Sequence, residues 1–116
     1  MNVNWIKCTG DSWCSLKNLN LDHEHFNGLE GVYVIWRNEP ARKAVRVGQG
    51  IIRDRLAEHR ENTEILAKGP QGLFVTWSRV DAQNRDGVEA FLAEILDPLV
   101  GERFPDVVPV PVNLPW

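Results

Sequence analysis

The sequence predicts an α+β domain: a small, largely antiparallel three-stranded sheet flanked by helices, with an extra strand near the N-terminus. Three observations lead there. The chain has 116 residues, the size of one domain around one core. Two apolar runs, 32–36 and 45–48, enclose a proline-containing turn and read as a β-hairpin. The hydrophobic period then becomes helical across 51–66, returns to strand across 73–80, and becomes helical again from Asp86. Hairpin, helix, strand and helix on so short a chain favour one sheet covered by helices.

Each element has its own signal. Residues 2–8 alternate apolar and polar, which is a strand pattern. "TGDS" is turn material, 13–20 fits either a strand or irregular chain, and "DHEHFNGLEG" reads as a loop. In the hairpin, Val32, Val34 and Trp36 point to one side, Tyr33 and Ile35 to the other. On the return run Val45 and Val47 share a face and Arg46 takes the opposite one; Gly48 and Gly50 end it. Ile52, Arg55, Leu56 and His59 lie on one side of the helix that follows, which "KGPQG" stops. Leu73, Val75 and Trp77 share a face of the next strand. Val88, Phe91, Leu92, Ile95, Leu96 and Leu99 make the apolar stripe of the last helix. The tail "FPDVVPVPVNLPW" holds too many prolines for regular structure, so it is expected to lie along the surface, with Trp116 packed on its own domain.

Composition narrows the function classes. With 43% hydrophobic and 25% charged residues the chain is an ordinary globular sequence. No apolar run approaches the roughly 20 residues of a membrane span. The first residues lack the basic and apolar regions of a signal peptide, so a cytoplasmic protein is expected, with Cys8 and Cys14 reduced. Cys8, Cys14, His23 and His25 could be drawn as a zinc set, but the spacing C-x5-C…H-x-H is not that of a zinc knuckle. A net charge of −3 argues against a protein that coats DNA. Local basic faces exist all the same: Arg37, Arg42, Lys43 and Arg46 in the hairpin, and Arg53, Arg55 and Arg60 on the helix after it.

Tyr33 is the only tyrosine. "GVY", then "RVG", "RLAEH" and "VEAFLAEILDP" follow one another on strand, strand, helix and helix. This ordered set resembles the GIY-YIG nuclease domain over roughly residues 28–100, leaving an N-terminal extension 1–27 and a Pro-rich tail 101–116 within a single domain. The resemblance implies a phosphodiesterase acting on DNA with Mg²⁺ or Mn²⁺. It implies Tyr33 as the first-motif tyrosine, Arg55 as the helix arginine, Glu89 as the metal-binding carboxylate, and His59 at the position four residues after the arginine. Two departures are visible. Arg46 stands where the second tyrosine of the family is found, and Gly101 falls near the position often held by asparagine.

The residue types suit that chemistry. One carboxylate can hold Mg²⁺ together with waters and a substrate phosphate. Arginine offers a planar fork to a phosphate. A tyrosine near pKa 10 needs a neighbouring cation to act as a base, which Arg46 could supply, and His59 is a second candidate proton carrier. DNA contacts are expected from Arg37, Arg42, Lys43 and Arg53, with a partner protein as a possible source of specificity. Simpler readings stand beside these. Tyr33 alone is a packed aromatic, Arg55 a solvated helix charge, and His59 a surface or half-buried helix residue. Asp86 and Glu89 fit a helix capping box, and "GQG" fits a tight turn. A non-catalytic module binding nucleic acid or protein is the alternative to the enzyme.

Overall fold

Residues 31–36 are apolar on both sides, and a strand covered on both faces must lie inside a sheet. A computed structural model, which describes residues 1–101 and 104–116, places this run as the central strand β2 (Glu30–Arg37). The other strands are β1 (Cys14–Ser15), β3 (Lys43–Ile51) and β4 (Phe74–Arg79). The order is β1-β4-β2-β3, with antiparallel pairing throughout. The expected three-stranded sheet is therefore present, and two-residue β1 adds a fourth strand at one edge.

Three helices cover the sheet: α1 (Ile52–Arg60), α2 (Thr63–Ala67) and α3 (Ala82–Leu96). Tyr33, Ile35, Val75 and Trp77 face Ile52 and Leu56 of α1 and Ile65 of α2 in one apolar cluster. Val32, Val34, Trp36 and Val47 face Val88 and Leu92 of α3 in the other. The strand alternation read in the sequence thus separates two layers of core.

Several boundaries differ from expectation, each for a local reason. Residues 2–8 form no strand. This stretch is tied to β4 by Ile6 N–H donating to the Trp77 carbonyl (3.0 Å) and the Thr76 hydroxyl donating to the Ile6 carbonyl (2.7 Å). Val45 and Val47 do not share a face. A bulge between Ile35 and Trp36 pairs Ile35 with Arg46 and Trp36 with Ala44, leaving Val45 as the extra residue. Val45 consequently joins the α1 layer while Val47 stays in the α3 layer. The expected helix 51–66 is two helices, because the Asn62 side chain accepts from Ile65 N–H (3.1 Å) and starts α2 as its cap. Helix α3 begins at Ala82 and ends at Leu96 ahead of Pro98. Asp86 and Glu89 are therefore interior residues, and the capping-box reading falls. Cys8 and Cys14 are joined in a disulfide, so neither is the free thiol expected, nor a zinc ligand.

After α3 the chain runs along the outer edge of β3. Leu99 and Val100 N–H donate to the carbonyls of Ala44 (3.2 Å) and Val45 (2.9 Å). Farther on, Val110 N–H donates to the Gly87 carbonyl on α3 (2.9 Å), and the Asn113 side chain exchanges hydrogen bonds with Val3. Trp116 ends against Trp36, ring centroids 4.8 Å apart, under the Arg42 guanidinium. The tail is packed on its own domain, as expected. Among the described residues no helix is long and apolar enough to cross a membrane.

Candidate active site

Strand alternation sends Tyr33 to the α1 layer, where it pairs with Gly48 across the hairpin and Trp77 on β4. Its ring lies over Gly48: a Cβ there would fall 2.2 Å from the phenol oxygen. Only glycine leaves that space. The phenol reaches past β3 to helix α1, where its oxygen sits 2.6 Å from His59 Nε2. His59 and Leu56 share a side of α1, so the contacts that bury Leu56 also aim the imidazole at the sheet.

The bulge at Val45 puts Arg46 opposite Ile35, on the same face as Tyr33. Among the described residues Arg46 Nε is buried without an acceptor, and its guanidinium lies against Gly101, where a Cβ would fall 2.5 Å from Nη1. Arg55 lies one turn before His59. A Cβ at Gly50 would fall 3.1 Å from Arg55 Nε, which places this side chain along the end of β3. Among the described residues it pairs with Glu58 (3.2 Å), and both partners are solvent-exposed, so the pair is weak and exchangeable.

Glu89 comes from the other layer. It is 8% exposed on α3, next to Val88 and facing β3. Gln49, whose neighbours Gly48 and Gly50 lie under Tyr33 and Arg55, donates to the Asp86 carboxylate (2.6 Å) and hydrogen-bonds Glu89. Helices α1 and α3 cover opposite faces, yet β3 is the outermost strand. Groups from both helices can therefore act on one another around its edge.

Electrostatics record that convergence. Burial raises the Tyr33 phenol above 10.0; the charge and hydrogen bond of Arg46 and the charge of Arg55 oppose the rise, and Glu89 adds to it. Burial, then Arg46 and then Arg55, lowers His59 from 6.5 to about 4. Burial also raises Glu89 above 4.5, opposed by the Gln49 hydrogen bond and by Arg46, and reinforced by Asp86. At neutral pH Tyr33 and His59 form a neutral pair flanked by two guanidinium ions. The pair has two forms. Either the phenol donates to Nε2 and Nδ1 carries the ring proton, or Nε2–H donates to the phenol. In both, buried Nδ1 lacks a partner.

The balance between burial and Arg46 can be measured, because Tyr33 is the only tyrosine. Its ionisation, followed by ultraviolet absorbance, is expected to inflect above pH 10 and to move higher still in Arg46→Ala. An inflection that falls or stays in place in that variant would show that Arg46 does not bear on the phenol.

Tyr33, His59, Arg46 and Arg55 thus lie on one face of the sheet beside β3, while Glu89 lies on the other face, on α3, and bears on the phenol through its charge. The expected DNA-contacting residues lie elsewhere. Arg37, Arg42 and Lys43 lie at the turn end of the hairpin, about 13 Å along the strand from Tyr33 at 3.3 Å per residue. Arg37 donates to the Lys68 carbonyl, Arg42 covers Trp116, and Lys43 reaches the Leu96 carbonyl and Asp97. Arg53 donates to the carbonyls of Leu21 and His23 and to Asn27, fastening the loop before β2. Gln49 was missed by the sequence reading. Alternation along β3 places it on the α3 face, and that signal could have found it.

Compared with known proteins, the chain matches no family model, no curated protein and no solved structure.

Proposed function

We propose that the chain hydrolyses DNA phosphodiester bonds, in the manner of the GIY-YIG nucleases it resembles. The observation that carries the reading is the 2.6 Å contact of Tyr33 with His59 beside Arg46 and Arg55, with Glu89 near enough for its charge to bear on the phenol. Fold resemblance alone would not suffice, because function belongs to sites.

The donor set fits a hard divalent cation. Glu89 and, one turn earlier, Asp86 offer carboxylate oxygens; Gln49 donates to Asp86 (2.6 Å) and bears on the Glu89 carboxyl, which supports placing both near one ion. Among the described residues no three His, Cys, Asp or Glu side chains cluster, so the site would be the open, mostly hydrated kind that Mg²⁺ or Mn²⁺ accepts. Glu89 would hold the ion, which when bound supplies charge stabilisation at the phosphate. Arg55 grips the phosphate with its planar fork. Tyr33 accepts the proton of the attacking water as its own passes to His59 Nε2, in the form with the ring proton on Nδ1. Arg46 steadies the partial negative charge on the phenol oxygen while the two protons are in transit.

One observation favours the second reading, a binding module without catalysis. Tyr33 is 1% exposed, so its phenol meets solvent only through its neighbours. A single assay separates the two. Duplex and branched DNA incubated with Mg²⁺, with Mn²⁺ and with EDTA is expected to be cut only when metal is present, and Glu89→Ala is expected to abolish cutting. DNA that is bound under every condition but never cut would exclude the enzyme. Substrate choice would fall to DNA shape or to a partner protein. We place the protein in the cytoplasm, where the bond at exposed Cys8 would be open to reduction; the turn it spans is also closed by Cys8 N–H donating to the Ser12 carbonyl (2.8 Å).

A further inference from the structure

We propose that Arg46 and Arg55 form a paired-guanidinium site that binds a phosphate-type oxyanion directly, without a metal ion, at the edge of β3. The inference deepens the phosphodiesterase reading, since the scissile phosphate is the anion such a site would hold. It stands or falls, however, on anion binding alone.

The geometry brings the two cations to one place. Arg46 projects on Tyr33's face of the sheet because of the bulge at Val45. Arg55 lies one turn before His59, whose Nε2 is 2.6 Å from the phenol. Gly48 and Gly50, two residues apart on β3, pass beneath the phenol and beneath Arg55 respectively. Both guanidinium groups therefore border the same Tyr33–His59 pair.

Their charges are poorly matched among the described residues. Among the described residues no carboxylate stands within salt-bridge distance of Arg46, and its Nε is buried without an acceptor. Arg55 meets only solvent-exposed Glu58. Glu89 acts on the phenol, but on the imidazole side the only charges felt are the two arginines. Like charges held together with a buried donor left over are unfavourable unless an anion completes them. Two forks approaching from different elements, beside the Tyr33–His59 pair, suit a tetrahedral oxyanion with three or more oxygens. A carboxylate, with two coplanar oxygens, would be satisfied by one fork. Arginine at position 46 thus does what a second tyrosine could not: it adds a full positive charge to the phosphate side of the site.

The test uses metal-free protein in EDTA, titrated with inorganic phosphate and, separately, with sulfate. The three histidine rings are followed by NMR. His59 signals are expected to shift and saturate. His23 and His25, paired with each other and with Trp77 elsewhere, serve as internal references and are expected to stay still. Arg46→Gln and Arg55→Gln should each weaken binding at least about tenfold, the loss of one charge-assisted fork, and Arg46→Lys should lie between. Arg55 is exposed on α1, so its variant keeps the test open should Arg46→Gln disturb the core. A His59 ring indifferent to both anions, or equal binding by the Gln variants, overturns the proposal. Anion binding without DNA cutting supports this site and overturns only the nuclease reading.

Discussion

Replacing Gly31 with alanine is expected to destabilise the protein by about 3 kcal/mol, at the upper end of overpacking costs. Gly31 lies in central strand β2, paired with Gly50 on one side and Arg79 on the other. A Cβ at this position would fall 1.9 Å from the Ser78 carbonyl oxygen and 2.9 Å from its carbon. Those are backbone atoms of β4, held in the β2–β4 ladder, and they cannot step aside as the end of a flexible side chain would. Relief requires the two strands to part near the point where Tyr33, two residues on, must be held. Urea unfolding of wild type and Gly31→Ala measures the loss. At roughly 4 °C per kcal/mol for a domain of this size, the melting temperature should fall on the order of 10 °C. A variant within about 0.5 kcal/mol of wild type, the range of an ordinary surface change, would refute the close approach. The glycine of "GVY" therefore has a structural reason of its own, apart from any chemistry.

The second large effect is acid lability traceable to His59. Its folded pKa is about 4 against an ordinary 6.5, so between those values the unfolded chain binds more protons than the folded one. Stability accordingly rises with pH through that window. The contribution is fully present above pH 6.5 and is lost as pH falls toward 4. At about 1.36 kcal/mol per pH unit the loss approaches 3 kcal/mol. The residue is 7% exposed, so solvent screens little of it. Glu89 has the opposite sign. Its raised pKa means the folded protein takes up a proton first on acidification, which offsets part of the His59 effect. Comparing wild type with His59→Gln across pH 4 to 7 isolates the histidine. The variant's unfolding free energy should be flatter by up to about 3 kcal/mol over that range. Parallel curves would mean that His59 titrates normally, and that Tyr33 and the two arginines do not confine it as described.

Much of the fold was legible because its causes are local. Alternation in 32–36 sorted Val32, Val34 and Trp36 from Tyr33 and Ile35, and the two core layers keep that division. Period 3.6 with Leu56 and Val88 at its centre marked α1 and α3. What the sequence hid was non-local or subtle. The bulge at Val45 breaks a perfect alternation, and only pairing with β2 reveals it. Helix α3 starts a turn early, at Ala82, which leaves Asp86 inside the helix and removes the cap there. Asn62 was a readable cap passed over for lack of a proline or glycine beside it.

For the candidate site the same distinction applies. Sequence by itself determined which side chains are available and on which face each lies: one tyrosine inward, one arginine and one histidine a turn apart, and a glutamate at the margin of an apolar stripe. These follow from the fixed periods of strand and helix. Tertiary structure alone decided that β3 is the outer strand. With no further strand beyond β3 among the described residues, α1 and α3, on opposite faces, can bring His59 and Glu89 to bear on one phenol. Strand order is set by contacts between segments far apart in the chain, and no local pattern of residues carries it.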